Sequence, residues 1–440
     1  MINYIFLWVF IIIIFIINKI MENLRIKKLK NGLKVLPIPN NFFNSTYIRL
    51  YVKIGSRYEQ KNEKGFSHLV EHIISKKAYE FFKSKDNWTD DPVLECFNCK
   101  TMDSYTCYSF EIHKSDLYKG IKLIGEILSN NNLSAINLKN EKEIIINEIY
   151  EERDDFYYRT RNIFRKNYYK NNNLKNSILG NISDIKKANK KSIQNFIKKY
   201  YQPYNMVLVV SGNIQDENNL LKLIRKKFNF KFFKKTQKNK FSKLKSVKGG
   251  VKIIYKQSKQ LYINYIRTFF IPDFITRIKW DVFVRIFEQY LFNYIRNKGF
   301  SYSLNMNLFD FEEFFNIDLT IIISKKKVFN FITIFKKYIQ AFKNNFDDKN
   351  LKLVKEELIK SYDIVRDYPK DKAKLFGWQT IMFPNQKLLS IEKIQKTIEQ
   401  ISTKDIIDCF NMFLKVNSFL LITGCLKNNK KNNKFLLKDS

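Results

Sequence analysis

Two of the chain's three histidines fall in one five-residue window, His68-Leu69-Val70-Glu71-His72. On a helix, His68 and His72 stand one turn apart and Glu71 is angularly adjacent to both, all within an arc of about 100°. Two imidazoles so placed can share one metal ion, and the carboxylate can reach a water on that ion. The spacing H-x-x-E-H is one of the zinc-peptidase patterns. The competing explanation is a pair of helix histidines that pack or face water. The scarcity of histidine elsewhere, and an acidic helix downstream, weigh against it.

A catalytic zinc takes three protein ligands and keeps one position open for water. The downstream helix reads EKEIIINEIYEERDD, with Ile144, Ile145, Ile146 and Ile149 as its apolar residues. Glu141 and Glu148 stand seven residues apart, two turns along one face. Spacing alone leaves two possibilities for them, the solvated side of that helix or a source of the third ligand.

These residues need a scaffold, and the chain alternates short strands with helices. Residues 33–37 and 47–54 read as strands separated by the turn-prone NNFFNST. A helix is expected at about 64–80, a strand at 104–112, helices near 115–129, 138–157 and 192–200, and a buried strand in MVLVVSGN. NMVLVVSGNI at 205–214 is echoed by NSFLLITGCL at 417–426, which sets Gly212 and Gly424 at corresponding places. The basic run 231–250, closed by Gly249-Gly250, reads as a linker. The expected architecture is α+β, a clamshell of two similar domains, each an antiparallel sheet with helices on one face. Residues 21–230 would carry the metal chemistry, and 251–440 would be a metal-free domain of similar fold.

Composition removes other classes. With 45% hydrophobic residues the chain is not a disordered tail, and with 12 Gly and 7 Pro it is neither collagen-like nor low-complexity. Its formal charge of +37 invites a nucleic-acid reading. The basic residues are spread along the whole chain, however, without zinc-finger spacing, an aromatic RNP box or a KH-type glycine loop, so no specific nucleic-acid partner is expected. Five cysteines argue against a disulfide framework. Cys96 and Cys99 form a lone C-x-x-C without a second pair, and read as small packing hydrophobes.

The amino terminus has two readings. Residues 4–20 are almost wholly apolar and lack a secretory n-region and cleavage site, while Arg25, Lys27, Lys28 and Lys30 follow directly. Residues 1–20 form either a membrane anchor that leaves the body facing the cytoplasm or sequence upstream of a start at Met21.

Several blocks together resemble the pitrilysin/insulinase family of zinc metallopeptidases, in the short form typified by mitochondrial processing peptidase and bacterial relatives. They are LKNGLKVLPIPN at 29–40, IGSRYEQKNEKGFSHLVEH at 54–72, EKEIIINEIYEE at 141–152 and SILGNISDIKKANKKSIQNFIKKYYQPYNMVLVVSGNI at 177–214. The resemblance implies that His68, His72 and Glu148 bind one Zn2+, that Glu71 is the general base, and that Glu141 supports the ligands. It further implies that the strand around Asn98 pairs with an extended substrate backbone. In IRNKGFSYSL at 295–304, Tyr302 would hydrogen-bond the developing oxyanion and Arg296 would hold the substrate backbone. Two departures stand out: the glycines usual before the Asn98 strand are absent, and Arg296 is one residue nearer Gly299 than in the commonest pattern. The function implied is endopeptidase action on peptides or unfolded protein segments, in a homo- or heterodimer with a family member. The alternative is a non-catalytic structural or peptide-binding subunit of such a heterodimer.

Overall fold

The computed structural model describes residues 24–83, 97–129, 138–170, 172–229, 244, 249–270, 273–297, 299, 304–429 and 432. Its first half holds strands β1 (Lys27–Lys28), β2 (Lys34–Pro39), β3 (Ser45–Val52), β4 (Asn98–Thr101), β5 (Thr106–His113) and β6 (Met206–Gly212). With them are helices α1 (Phe66–Lys83), α2 (Leu117–Ser129), α3 (Leu138–Asp154), α4 (Phe156–Tyr168), α5 (Ile182–Lys187), α6 (Lys190–Tyr200) and α7 (Glu217–Lys227). The second half holds β7 (Gly250–Tyr255), β8 (Gln260–Phe270), β9 (Leu304–Asp310), β10 (Phe314–Ser324) and β11 (Ser418–Gly424). Its helices are α8 (Phe274–Asn297), α9 (Val328–Asn345), α10 (Asp348–Asp367), α11 (Pro369–Met382), α12 (Ile391–Gln400) and α13 (Thr403–Lys415).

The strands form two sheets, ordered β1-β2-β6-β3-β5-β4 and β7-β11-β8-β10-β9. The expected repeat is visible in the pairing. β6 lies parallel to β2 and antiparallel to β3, and β11 lies parallel to β7 and antiparallel to β8. All other pairs are antiparallel. The repeated glycines end these two strands with φ of +120° at Gly212 and +141° at Gly424. A Cβ there would approach the Ser45 carbonyl oxygen to 2.4 Å in the first case and that of Gln260 to 2.6 Å in the second. Glycine avoids both the collision and the left-handed strain.

Every residue of β6 is buried, because both faces of the first sheet are covered. Leu208 and Val210 pack in a core with residues of α1, α2 and α6, including Leu69, Ile124 and Phe196. Val207, Val209 and Tyr51 turn to the other face, where α11 of the second half lies against them. Gly377 of α11 permits that approach, since a Cβ would come within 2.3 Å of the Tyr51 ring, and the Tyr51 hydroxyl donates to the Lys374 carbonyl at 3.1 Å. The exchange is reciprocal. Phe164 and Tyr168 of α4 pack with Ile266, Phe419 and Leu421 of the second sheet, and Tyr168 shares a 2.5 Å hydrogen bond with Thr268.

Two expectations change here. The single helix expected over 138–157 is two, because Asp155 leaves helical geometry and caps α4 by accepting from Tyr158 N–H at 2.9 Å. The membrane-anchored, cytoplasm-facing placement is also corrected: no helix among the described residues is long and apolar enough to cross a membrane. Residues 4–20, on which that expectation rested, lie outside the described residues, as does most of the 231–250 linker.

Candidate metal centre

Helix α1 begins at a prepared turn. Gly65 takes φ +95°, and a Cβ there would meet the Leu179 carbonyl oxygen at 2.5 Å. The fully buried Glu59 carboxylate accepts from Gly65 N–H and Ser67 N–H, both at 2.8 Å, so it satisfies amides that a helix start leaves without partners. Burial pushes the Glu59 carboxyl up, while these amides and nearby Lys64 pull it down. Leu69, Val70 and Ile73 anchor the apolar side of α1 in the core. His68, Glu71 and His72 are left on the side facing α3 and β4.

On α3, Ile145 and Ile149 are buried and Glu141 is 8% exposed. The sequence left these two glutamates ambiguous, and the helix turns both toward α1. Glu148 Oε2 lies 3.8 Å from His68 Nδ1, and Glu148 Oε1 lies 3.6 Å from His72 Nε2. One ligand atom from each of His68, His72 and Glu148 can be chosen so that all lie within 4.8 Å of one another. Glu141 Oε2 sits 3.6 Å from His72 Nδ1, beside the ring nitrogen that does not face Glu148. The imidazoles are 4.6 Å apart at 67°.

Electrostatics at the group favours neutral imidazole and a restrained base. Burial, and then the neighbouring His72, push His68 down to about 3, so its ring is uncharged at neutral pH. Its Nδ1 is buried without a hydrogen-bond partner. Burial raises Glu71 and Glu148 above the ordinary carboxylate range, and at Glu71 a hydrogen bond from Thr101 opposes the rise. Two imidazoles, one of them with an orphaned ring nitrogen, and a carboxylate form a donor set that fits zinc.

The other expected site residues fall as follows. Asn98 opens β4, is exposed, and stands on a strand whose outer edge pairs with nothing among the described residues. Arg296 lies in the last turn of α8 with its guanidinium over the Phe292 ring at 5.8 Å, and no described hydrogen bond or ion pair joins it to the histidines. Tyr302 lies outside the described residues. His113, the third histidine, caps the turn at Lys114–Asp116 by accepting from Ser115 N–H at 3.3 Å.

Sequence reasoning missed four supports. Thr101 Oγ1 donates to Glu71 at 2.5 Å. Glu59 caps α1 as described. Asp103 takes two hydrogen bonds from Arg165, at 2.6 and 3.0 Å, and one from Ser56 at 2.6 Å, which pins the turn before β5 to α4. Arg57 donates to Glu313 at 2.6 Å, and Lys53 pairs with Glu312 at 2.9 Å, joining the loop before α1 to the second half. The acid pair in DFEEFF and the acid six residues before Gly65 were the only signals available.

The fold comprises two α+β halves, and the first carries a His–His–Glu group able to hold a metal ion. The chain belongs to the insulinase family of peptidases, M16: residues 35–182 match the family's domain described as Insulinase (Peptidase family M16), and 187–358 match its Peptidase M16 inactive domain. It is 25% identical over 420 residues to an uncharacterized zinc protease of Rickettsia bellii, a match covering 92% of this chain and 98% of that one. A second such protein, from Rickettsia felis, is 30% identical over 181 residues, which span 40% of this chain and 43% of that relative. Bovine mitochondrial-processing peptidase subunit beta is 25% identical over 173 residues, 39% of this chain and 35% of the subunit. Among solved structures, a protease from Helicobacter pylori shares the fold with a TM-score of 0.77 at 16% identity, covering 91% of this chain and 99% of its own.

Proposed function

We propose that the protein is a zinc-dependent endopeptidase in which His68, His72 and Glu148 hold the metal and Glu71 is the general base. The observation that carries this reading is the convergence of His68, His72 and Glu148 on one point beside Glu71. A bound zinc ion would supply Lewis acidity and lower the pKa of water toward about 7. The residues do the rest. Glu71 takes the proton of the attacking water and returns it to the leaving amine. Burial makes its carboxylate a better proton acceptor than a solvated one, while the Thr101 hydroxyl keeps it aimed and ionised. Glu141, beside His72 Nδ1, orients that imidazole as a ligand.

The exposed edge of β4 gives an extended peptide a place to add as a further strand, with Asn98 at its start. Arg296 and Tyr302 are proposed to hold the substrate backbone and the oxyanion. A second family-type chain is the proposed partner, since one relative is named as a subunit of a processing peptidase. Metal analysis of the purified protein alongside cleavage of a quenched peptide tests the reading. It predicts about one zinc per chain and chelator-sensitive turnover, and cleavage that persists in metal-free protein contradicts it.

A further inference from the structure

Side chains alternate along β4. Thr101 reaches Glu71 and Cys99 packs against the core under α1, so Asn98 and Lys100 turn to the opposite face of the sheet. A cavity of about 540 Å³ lies on that face between β4, the neighbouring strands and the start of α11. Its charged lining is Arg49, Lys100, Lys370 and Lys374 against Glu111 alone.

Two of these cations are already matched. Lys370 pairs with Glu111 at 3.1 Å, and Lys374 pairs with Asp371 at 3.0 Å. Arg49 has no carboxylate within ion-pair distance among the described residues. It donates to the Tyr47 hydroxyl at 3.3 Å and to Cys107 Sγ at 2.9 Å, lies over the Tyr51 ring at 4.9 Å, and leaves its Nε buried without a partner. Lys100 is exposed on the edge strand and has no described ion pair. The cavity therefore holds an uncompensated guanidinium and an uncompensated ammonium.

A peptide strand added to β4 would lie one strand spacing away, about 4.8 Å, and every second side chain would point to the face of Lys100 and Arg49. The intervening side chains would point toward Glu71, where another carboxylate is repelled. We propose that this cavity selects substrate segments with Asp or Glu at alternate positions of the strand docked along β4, with Lys100 on β4 as the direct charge partner and Arg49, across β5 on β3, adding longer-range attraction from the cavity floor. This rests on the peptidase reading above and names its substrate class.

The test uses the full-length zinc-loaded protein and quenched peptides carrying Glu, Gln or Lys at one position, then at the next position along. Cleavage efficiency and, separately, binding by fluorescence anisotropy are read at physiological salt. The expected result is a tenfold or greater preference for Glu over Lys at one phase of the alternation and less than threefold at the neighbouring position. Lys100→Glu should invert the preference, and Arg49→Gln should weaken it. An equal preference at both phases, as a merely basic surface would give, overturns the proposal. So does a preference that survives both substitutions. Cleavage without alternation sinks this inference and leaves the peptidase reading standing. Alternating binding without cleavage does the reverse, and absence of both overturns both.

Discussion

Thr101 Oγ1 donates to Glu71 Oε2 at 2.5 Å, tying the carboxylate beside the two histidines to the edge strand of the first sheet. The Thr101 hydroxyl also lies 3.5 Å from that of Thr106, which donates to the Ile54 carbonyl at 2.9 Å. The proposed proton acceptor is therefore registered against β4, β5 and the segment just after β3 together. A substrate strand docked on β4 would be placed relative to Glu71 through a single intervening residue.

Thr101→Val keeps the β-branched shape that suits a strand and removes the donor. A hydrogen bond to a charged group contributes about 1.5–3 kcal/mol. Cleavage efficiency should therefore fall about 10- to 100-fold while zinc content stays unchanged, and Thr101→Ser should recover most of it. Wild-type kinetics in the valine variant would show that the bond has no part in the reaction.

His68→Ala and Glu148→Ala each delete a proposed ligand, and both should leave the purified protein short of zinc by elemental analysis. Glu141→Gln should weaken zinc retention about 10- to 100-fold against a competing chelator, the range for a partner that orients a ligand. Equal metal content in all four proteins would remove these residues from the site.

Asp103 and Arg165 form a buried two-bond pair with side-chain exposures of 15% and 8%, and Arg165 holds the Asp103 carboxyl below its ordinary value of 3.8 despite burial. A carboxylate whose folded pKa is depressed stabilises the fold above its unfolded value, and that contribution is lost as the pH falls through the lower folded value. Wild-type stability from this pair should persist at pH 5 and decline below about pH 4. Asp103→Asn strands a buried guanidinium and should cost about 3–5 kcal/mol at neutral pH, read by denaturant unfolding. The gap between variant and wild type should shrink in acid, and a pH-independent gap would argue against the pair as its source.

The candidate metal group was more legible in the sequence than its supports were. H-x-x-E-H declares its own geometry, because helix periodicity alone puts His68, Glu71 and His72 on one side. The echo of NMVLVVSGNI in NSFLLITGCL was readable because two topologically matched strands each need a glycine where a neighbouring carbonyl leaves no room for a Cβ. Glu148 needed the family resemblance, since an acid on an Ile-rich helix reads equally well as solvated surface. The exchange of α4 and α11 between the sheets left no local trace, because it depends on contacts between residues hundreds of positions apart, such as Tyr51 with Lys374. Glu59, Thr101 and Asp103 were missed for a related reason. Each acts through backbone amides or a distant partner, and no spacing rule records those.

The most direct test of the central claim compares wild type with Glu71→Gln for both zinc content and peptide cleavage. The substitution keeps size and polarity but removes the proton acceptor. The variant is expected to hold the same zinc per chain as wild type while its turnover falls at least about 100-fold. A Glu71→Gln protein that retains its metal and cleaves at the wild-type rate would contradict the account.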